Sequence, residues 1–66
     1  MNGQYKVPLY FDNEYFDSIE YSEPITADDW QQIQRDAMEV IDGESYSDIH
    51  VGVDMFSHIA IFVRSE

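Results

Sequence analysis

Asp54, Ser57 and His58 are the residue types of a nucleophilic triad, and they fall within five positions of one another in this 66-residue chain. The arrangement fails on geometry. Neighbouring residues of a strand point to opposite faces, so Ser57 and His58 cannot make the hydroxyl–imidazole hydrogen bond that such chemistry requires. His50 and His58 with Asp48 or Asp54 would meet across a tight final hairpin, an imidazole and carboxylate set of the kind zinc takes. The simpler reading, two histidines at outward polar positions, is preferred. Asp12-Asn13-Glu14 with Asp17 offers oxygen ligands but lacks the glycine and the terminal bidentate glutamate of a calcium loop. Carboxylate pairs for acid–base work are plentiful, yet one member needs an apolar pocket to raise its pKa, and a chain this short has little room for one. No catalytic residue, metal or cofactor is expected, and the glycines (Gly3, Gly43 and Gly52) are too isolated to form a phosphate loop.

What remains is charge. Fourteen Asp and Glu against three Lys and Arg give a formal charge of −11, beyond the magnitude of ~2–8 that suffices for solubility in a small domain. Like charges forced together oppose compaction, so an imbalance of this size reads as functional and points to a strongly basic partner. Basic surfaces are commonly built to bind nucleic acid. The expected contact residues are Asp12, Glu14, Asp17 and Glu20 of an N-terminal hairpin, with Asp28, Asp29, Asp36, Glu39 and Asp42 of a helix. Spacings of three (Asp36, Glu39 and Asp42) and seven (Asp29 and Asp36) bring the helical members to one face.

The elements that carry these groups follow from periodicity. A hydrophobic fraction of 44% with 15% aromatics excludes a disordered acidic tail, and the length sets one domain, residues 1–66. Val7, Leu9 and Phe11 alternate inward in a strand over Tyr5–Phe11, where Pro8 argues for an edge position or a bulge. A turn at Asp12-Asn13-Glu14 leads to a second strand over Tyr15–Tyr21, weakly patterned because Asp17 shares the parity of Ile19. Thr26 caps a helix with Asp28 and Asp29 in its first turn. Ile25 and Trp30 have the spacing of a hydrophobic staple. Trp30, Ile33, Ala37, Val40 and Ile41 form its apolar stripe, and Gly43 ends it. Two strands, Asp48–Val53 and His58–Arg64, then place Ile49, Val51, Val53, Ile59, Ile61 and Val63 inward. The expected fold is α+β, ββαββ, with the helix on one face of an antiparallel sheet.

The other sheet face would carry Pro8, Tyr10, Gly52, Ala60 and Phe62. An apolar face of this kind marks a surface for docking or homodimerisation, here Tyr10, Gly52, Ala60 and Phe62, with the small residues allowing close approach of another chain. The absence of cysteine excludes disulfides and thiolate metal sites. No apolar run approaches the ~20 residues of a membrane span, and no signal segment opens the chain, so a cytoplasmic protein without membrane contact is expected.

Asp28-Asp29, Asp36, Glu39 and Asp42 on one helix beside an acidic hairpin resemble the phage-encoded DNA mimics: anti-CRISPR proteins, anti-restriction proteins and uracil-DNA glycosylase inhibitors. The order of hairpin, acidic turn, helix entered through Ser22-Glu23-Pro24-Ile25-Thr26, and strand is similar to a very short phage glycosylase inhibitor over roughly the first 53 residues, to which this chain adds the strand from His58 to Arg64. The resemblance implies stoichiometric inhibition in the host cell, by occupation of the basic nucleic-acid-binding channel of a defence or repair protein, an anti-CRISPR first among these, without direct contact to nucleic acid. An adaptor docking through its apolar sheet face, or an immunity protein for a basic nuclease, is the alternative.

Overall fold

The computed structural model describes residues 3–66. Strand β1 (Gln4–Phe11) and strand β2 (Glu14–Ile25) form a hairpin; a 3-10 turn (Ala27–Asp29) leads into helix α1 (Trp30–Val40), and strands β3 (Asp48–Val53) and β4 (Ile59–Arg64) form a second hairpin. The chain is α+β with the expected ββαββ order. The sheet order is β2-β1-β4-β3.

Each hairpin is antiparallel, but β1 and β4 meet at the centre in parallel, with Leu9 opposite Ile61, Tyr10 opposite Phe62 and Phe11 opposite Val63. The sheet is therefore mixed rather than wholly antiparallel. Alternation determines which side chains point inward, and it carries no information on strand direction. The same pairing corrects the edge position inferred from Pro8, because β1 is an interior strand. Pro8 lies one residue before the first partner of β4. Upstream of it, the Gln4 carboxamide stands in for a backbone peptide: Nε2 donates to the Ile59 carbonyl at 2.7 Å and Oε1 accepts the Ile59 N–H at 2.8 Å. A side chain thus extends the β1–β4 seam upstream of Pro8, where the backbone ladder has not yet begun.

The first hairpin turns on two residues. Asp12 and Asn13 have φ of 53° and 70°, the left-handed pair that a two-residue turn matched to strand twist requires. β2 is longer than expected, and two irregularities interrupt its register, between Gln4 and Lys6 and between Leu9 and Tyr10 on the β1 side. As an edge strand exposed along most of its length, it lacks the alternation that would reveal its ends.

Thr26 caps the segment as read, but its first turn is 3-10 and α1 itself starts at Trp30, where Asp29, the residue preceding it, makes no side-chain cap bond to α1. The Thr26 hydroxyl accepts the Asp28 N–H, and the Asp29 carboxylate accepts the Thr26 N–H at 2.9 Å, a reciprocal capping box. Gly43 adopts φ 94° after the last turn. Ile33, Ala37 and Ile41 are fully buried against Val7, Leu9, Ile25, Ile61 and Val63. Trp30 and Val40, expected in the same stripe, are each 36% exposed. They lie at its margins because α1 packs chiefly on β3 and β4. Ile25 is buried, so the staple is anchored on one side only. Val53, expected inward, is also exposed, at the end of an edge strand. Among the described residues, no helix is long and apolar enough to cross a membrane.

Candidate functional site

Four of the nine carboxylates expected to meet a partner are engaged within the fold. Asp12 accepts the Ser65 backbone N–H at 2.9 Å, which holds its carboxyl below the usual range, with Arg64 adding a smaller effect. Asp17 accepts the N–H of Ser18 at 2.7 Å. Asp29 closes the capping box. Asp36 accepts both the Tyr21 hydroxyl at 2.7 Å and the Gln32 amide at 2.9 Å, tying β2 to α1. Burial and the hydrogen bond to Asp36 push the Tyr21 phenol far above its ordinary pKa. Glu14, Glu20, Asp28, Glu39 and Asp42 are exposed, and among the described residues none makes a side-chain hydrogen bond. These five, with Glu23, Glu44 and Glu66, constitute the uncommitted acidic surface among the described residues.

Basic groups do little to offset it. Lys6 stands opposite Glu20 in register, but the one ion pair among the described residues is His50 Nδ1 with Asp48 Oδ2, 3.4 Å apart on the surface. Lys6, Arg35 and Arg64 form none. Over a longest dimension of 39 Å, a charge of −11 amounts to one per about 3.5 Å, dividing the first figure by the second. Duplex B-DNA carries one per ~1.7 Å of axis and each of its strands one per ~3.4 Å, so the whole body of this chain has about half the duplex density.

The open face of the sheet, opposite the helix, holds a second feature. Tyr15 of β2, Tyr10 of β1, Phe62 of β4 and His50 of β3 form a row across all four strands. Tyr10 meets Tyr15 edge-on at 6.4 Å between ring centres, stacks beside Phe62 at 5.8 Å, and Phe62 stacks beside His50 at 5.5 Å. The sequence reading placed Tyr10 and Phe62 on this face and His50 at an outward position, but missed Tyr15 and the joining of the four into one row. Finding that row needs the strand order and the exact register, which no single strand's pattern contains.

The two small residues have a different role from the one expected. Ala60 is fully buried, so it offers no surface. A Cβ on Gly52 would lie 3.3 Å from the Phe62 ring; the space at Gly52 is filled by this chain's own Phe62, not left for another chain. Two hollows flank the row and share Tyr10 and Phe62. One, of about 360 Å³, is also lined by Asp12, Asp48, His50 and Arg64. The other, of about 460 Å³, is bordered by Met55 and Phe56, which are 88% and 70% exposed.

The catalytic and metal arrangements weighed from the sequence find little geometric support. Asp54 serves the final turn, its Oδ1 accepting the N–H groups of Phe56 at 2.8 Å and His58 at 3.0 Å. Ser57 takes a left-handed φ of 64° in that turn. His50 lies against Phe62 and His58 against Phe56. Among the described residues, no group of three His, Asp or Glu side chains is disposed to hold a metal ion. Comparison with protein families, curated proteins and solved structures finds no match to this chain.

Proposed function

We propose that this protein is a stoichiometric inhibitor that occupies the basic nucleic-acid-binding channel of a host defence or repair protein, with an RNA-guided nuclease the first target to try. The observation that carries the reading is the uncompensated negative charge of −11, spread along the long axis at about half the density of duplex DNA. Glu14, Glu20, Asp28, Glu39 and Asp42 are the carboxylates available to stand where phosphates would. A channel that neutralises phosphates with Lys and Arg gains from releasing counterions, and a protein surface of similar charge density exploits the same gain. The surrounding field also accelerates encounter with a basic partner.

An adaptor role is the second reading, favoured by the aromatic row and by exposed Met55 and Phe56. The two are separated by retrieving partners from a bacterial lysate with the tagged protein at low and high salt, with and without competing duplex DNA. Recovery of a basic nucleic-acid-binding protein that duplex DNA displaces supports mimicry. A partner retained in both conditions supports the adaptor.

A further inference from the structure

We propose that the open face of the sheet is a seat for an arginine side chain of a basic partner protein. The inference rests on the reading of a basic partner and names the side chain and the place. The row Tyr15, Tyr10, Phe62 and His50 presents rings at 5.5–6.4 Å spacing, exposed at its ends (Tyr15 and His50) and partly buried at its centre (Tyr10 and Phe62). Beside it lies the hollow of about 360 Å³ whose lining combines Tyr10, His50 and Phe62 with the carboxylates of Asp12 and Asp48. Aromatic faces attract a guanidinium placed over them, arginine more often than lysine, and the planar fork of arginine matches a carboxylate in two-point contact.

Both carboxylates retain an acceptor oxygen. Asp12 uses Oδ1 for Ser65 and Asp48 uses Oδ2 for His50; the other oxygen of each has no partner among the described residues. Arg64 lines the same hollow without pairing to either, and the His50–Asp48 pair leaves the second oxygen of Asp48 open to an incoming guanidinium. The charge of the whole chain selects the occupant. At −11, the chain as a whole repels a second copy, a nucleic acid or an anionic lipid surface and draws a cationic segment, and at the hollow two carboxylates outnumber the one guanidinium of Arg64.

The test is an NMR titration of the full-length protein at physiological salt with two blocked peptides, one alternating glycine with arginine and one alternating glycine with lysine. The arginine peptide is expected to bind roughly three- to thirtyfold tighter and to shift resonances of Tyr10, His50 and Phe62. Tyr10→Leu should remove the preference. So should Asp48→Asn, an exposed change that leaves folding intact. The combination Asp28→Asn, Glu39→Gln and Asp42→Asn should preserve it while weakening both peptides. Equal affinity for the two peptides, or shifts confined to α1 and β2, overturns the arginine seat and leaves the basic partner standing. Failure of both peptides to bind overturns both. Self-association through these rings, or binding of an oligothymidine to them, also overturns the seat.

Discussion

Tyr21 and Asp36 show what a carboxylate in this surface does when it is not facing solvent. The phenol donates to Asp36 from a half-buried position, and its pKa is raised by burial first and by that hydrogen bond second. A group whose folded pKa is raised contributes stability fully below its unfolded value, here ~10, and loses the contribution as pH climbs toward the folded value. Tyr21→Phe should therefore cost about 1 kcal/mol at neutral pH and flatten the decline in stability expected of the wild type above pH ~10, read by denaturant titration. An unchanged alkaline slope would remove Tyr21 as its source. Asp12 works with the opposite sign. Its carboxyl is lowered chiefly by the Ser65 N–H, so its contribution is present above the ordinary carboxylate range and disappears as pH falls through the folded value. The Thr26 cap and the place of Asp29 in the first turn were read from the sequence, whereas the bond of Asp29 back to the Thr26 N–H, which removes it from the expected contact set, was not. Asp36 was not readable, because its partner lies 15 positions away on an edge strand whose pattern is weak.

At the scale of elements, the centre of the sheet depends on an unusual seam. Gln4 pairs with both the N–H and the C=O of Ile59, ahead of a ladder that starts only after Pro8. Replacing Gln4 by Leu leaves those backbone groups without partners, a cost of about 1–3 kcal/mol; Gln4→Glu keeps the acceptor, loses the donor and should cost less. Urea melts of the two variants give the order. Equal stability of wild type and Gln4→Leu would mean the seam is supported elsewhere. Gly52→Ala tests the aromatic row, since its Cβ would press on the Phe62 ring at 3.3 Å. It should displace the ring-current shifts of Tyr10 and His50, while the corresponding shifts of Phe11 and Phe16, 5.6 Å apart in a separate pair, stay in place. The helix, its cap, the Gly43 terminus and the inward residues of β1 and β4 were legible because cap chemistry and periodicity are local. The parallel β1–β4 pairing, the length of β2 and the full row from Tyr15 to His50 were not. Each depends on which strands become neighbours, and that is decided by packing of the helix against the second hairpin.

For the whole molecule, charge dominates. With no Lys or Arg ion pair among the described residues and a charge of −11, self-repulsion works against the compact state. Added sodium chloride should raise the melting temperature by screening it, and acidification from pH 7 toward the pI of about 4.1 should at first do the same. A steady loss of stability over that interval would instead assign the carboxylates a net favourable role in the fold. The same uncompensated field is the basis of the proposed function, and direct competition tests it best. Increasing amounts of the protein are added to labelled duplex DNA bound to each of a panel: an RNA-guided nuclease, a restriction endonuclease and a uracil-DNA glycosylase. The account predicts that one of them releases its DNA at an equimolar ratio, with an affinity for the protein that falls steeply as salt rises. Binding to any of them that leaves the DNA in place, or that is indifferent to salt, would contradict it.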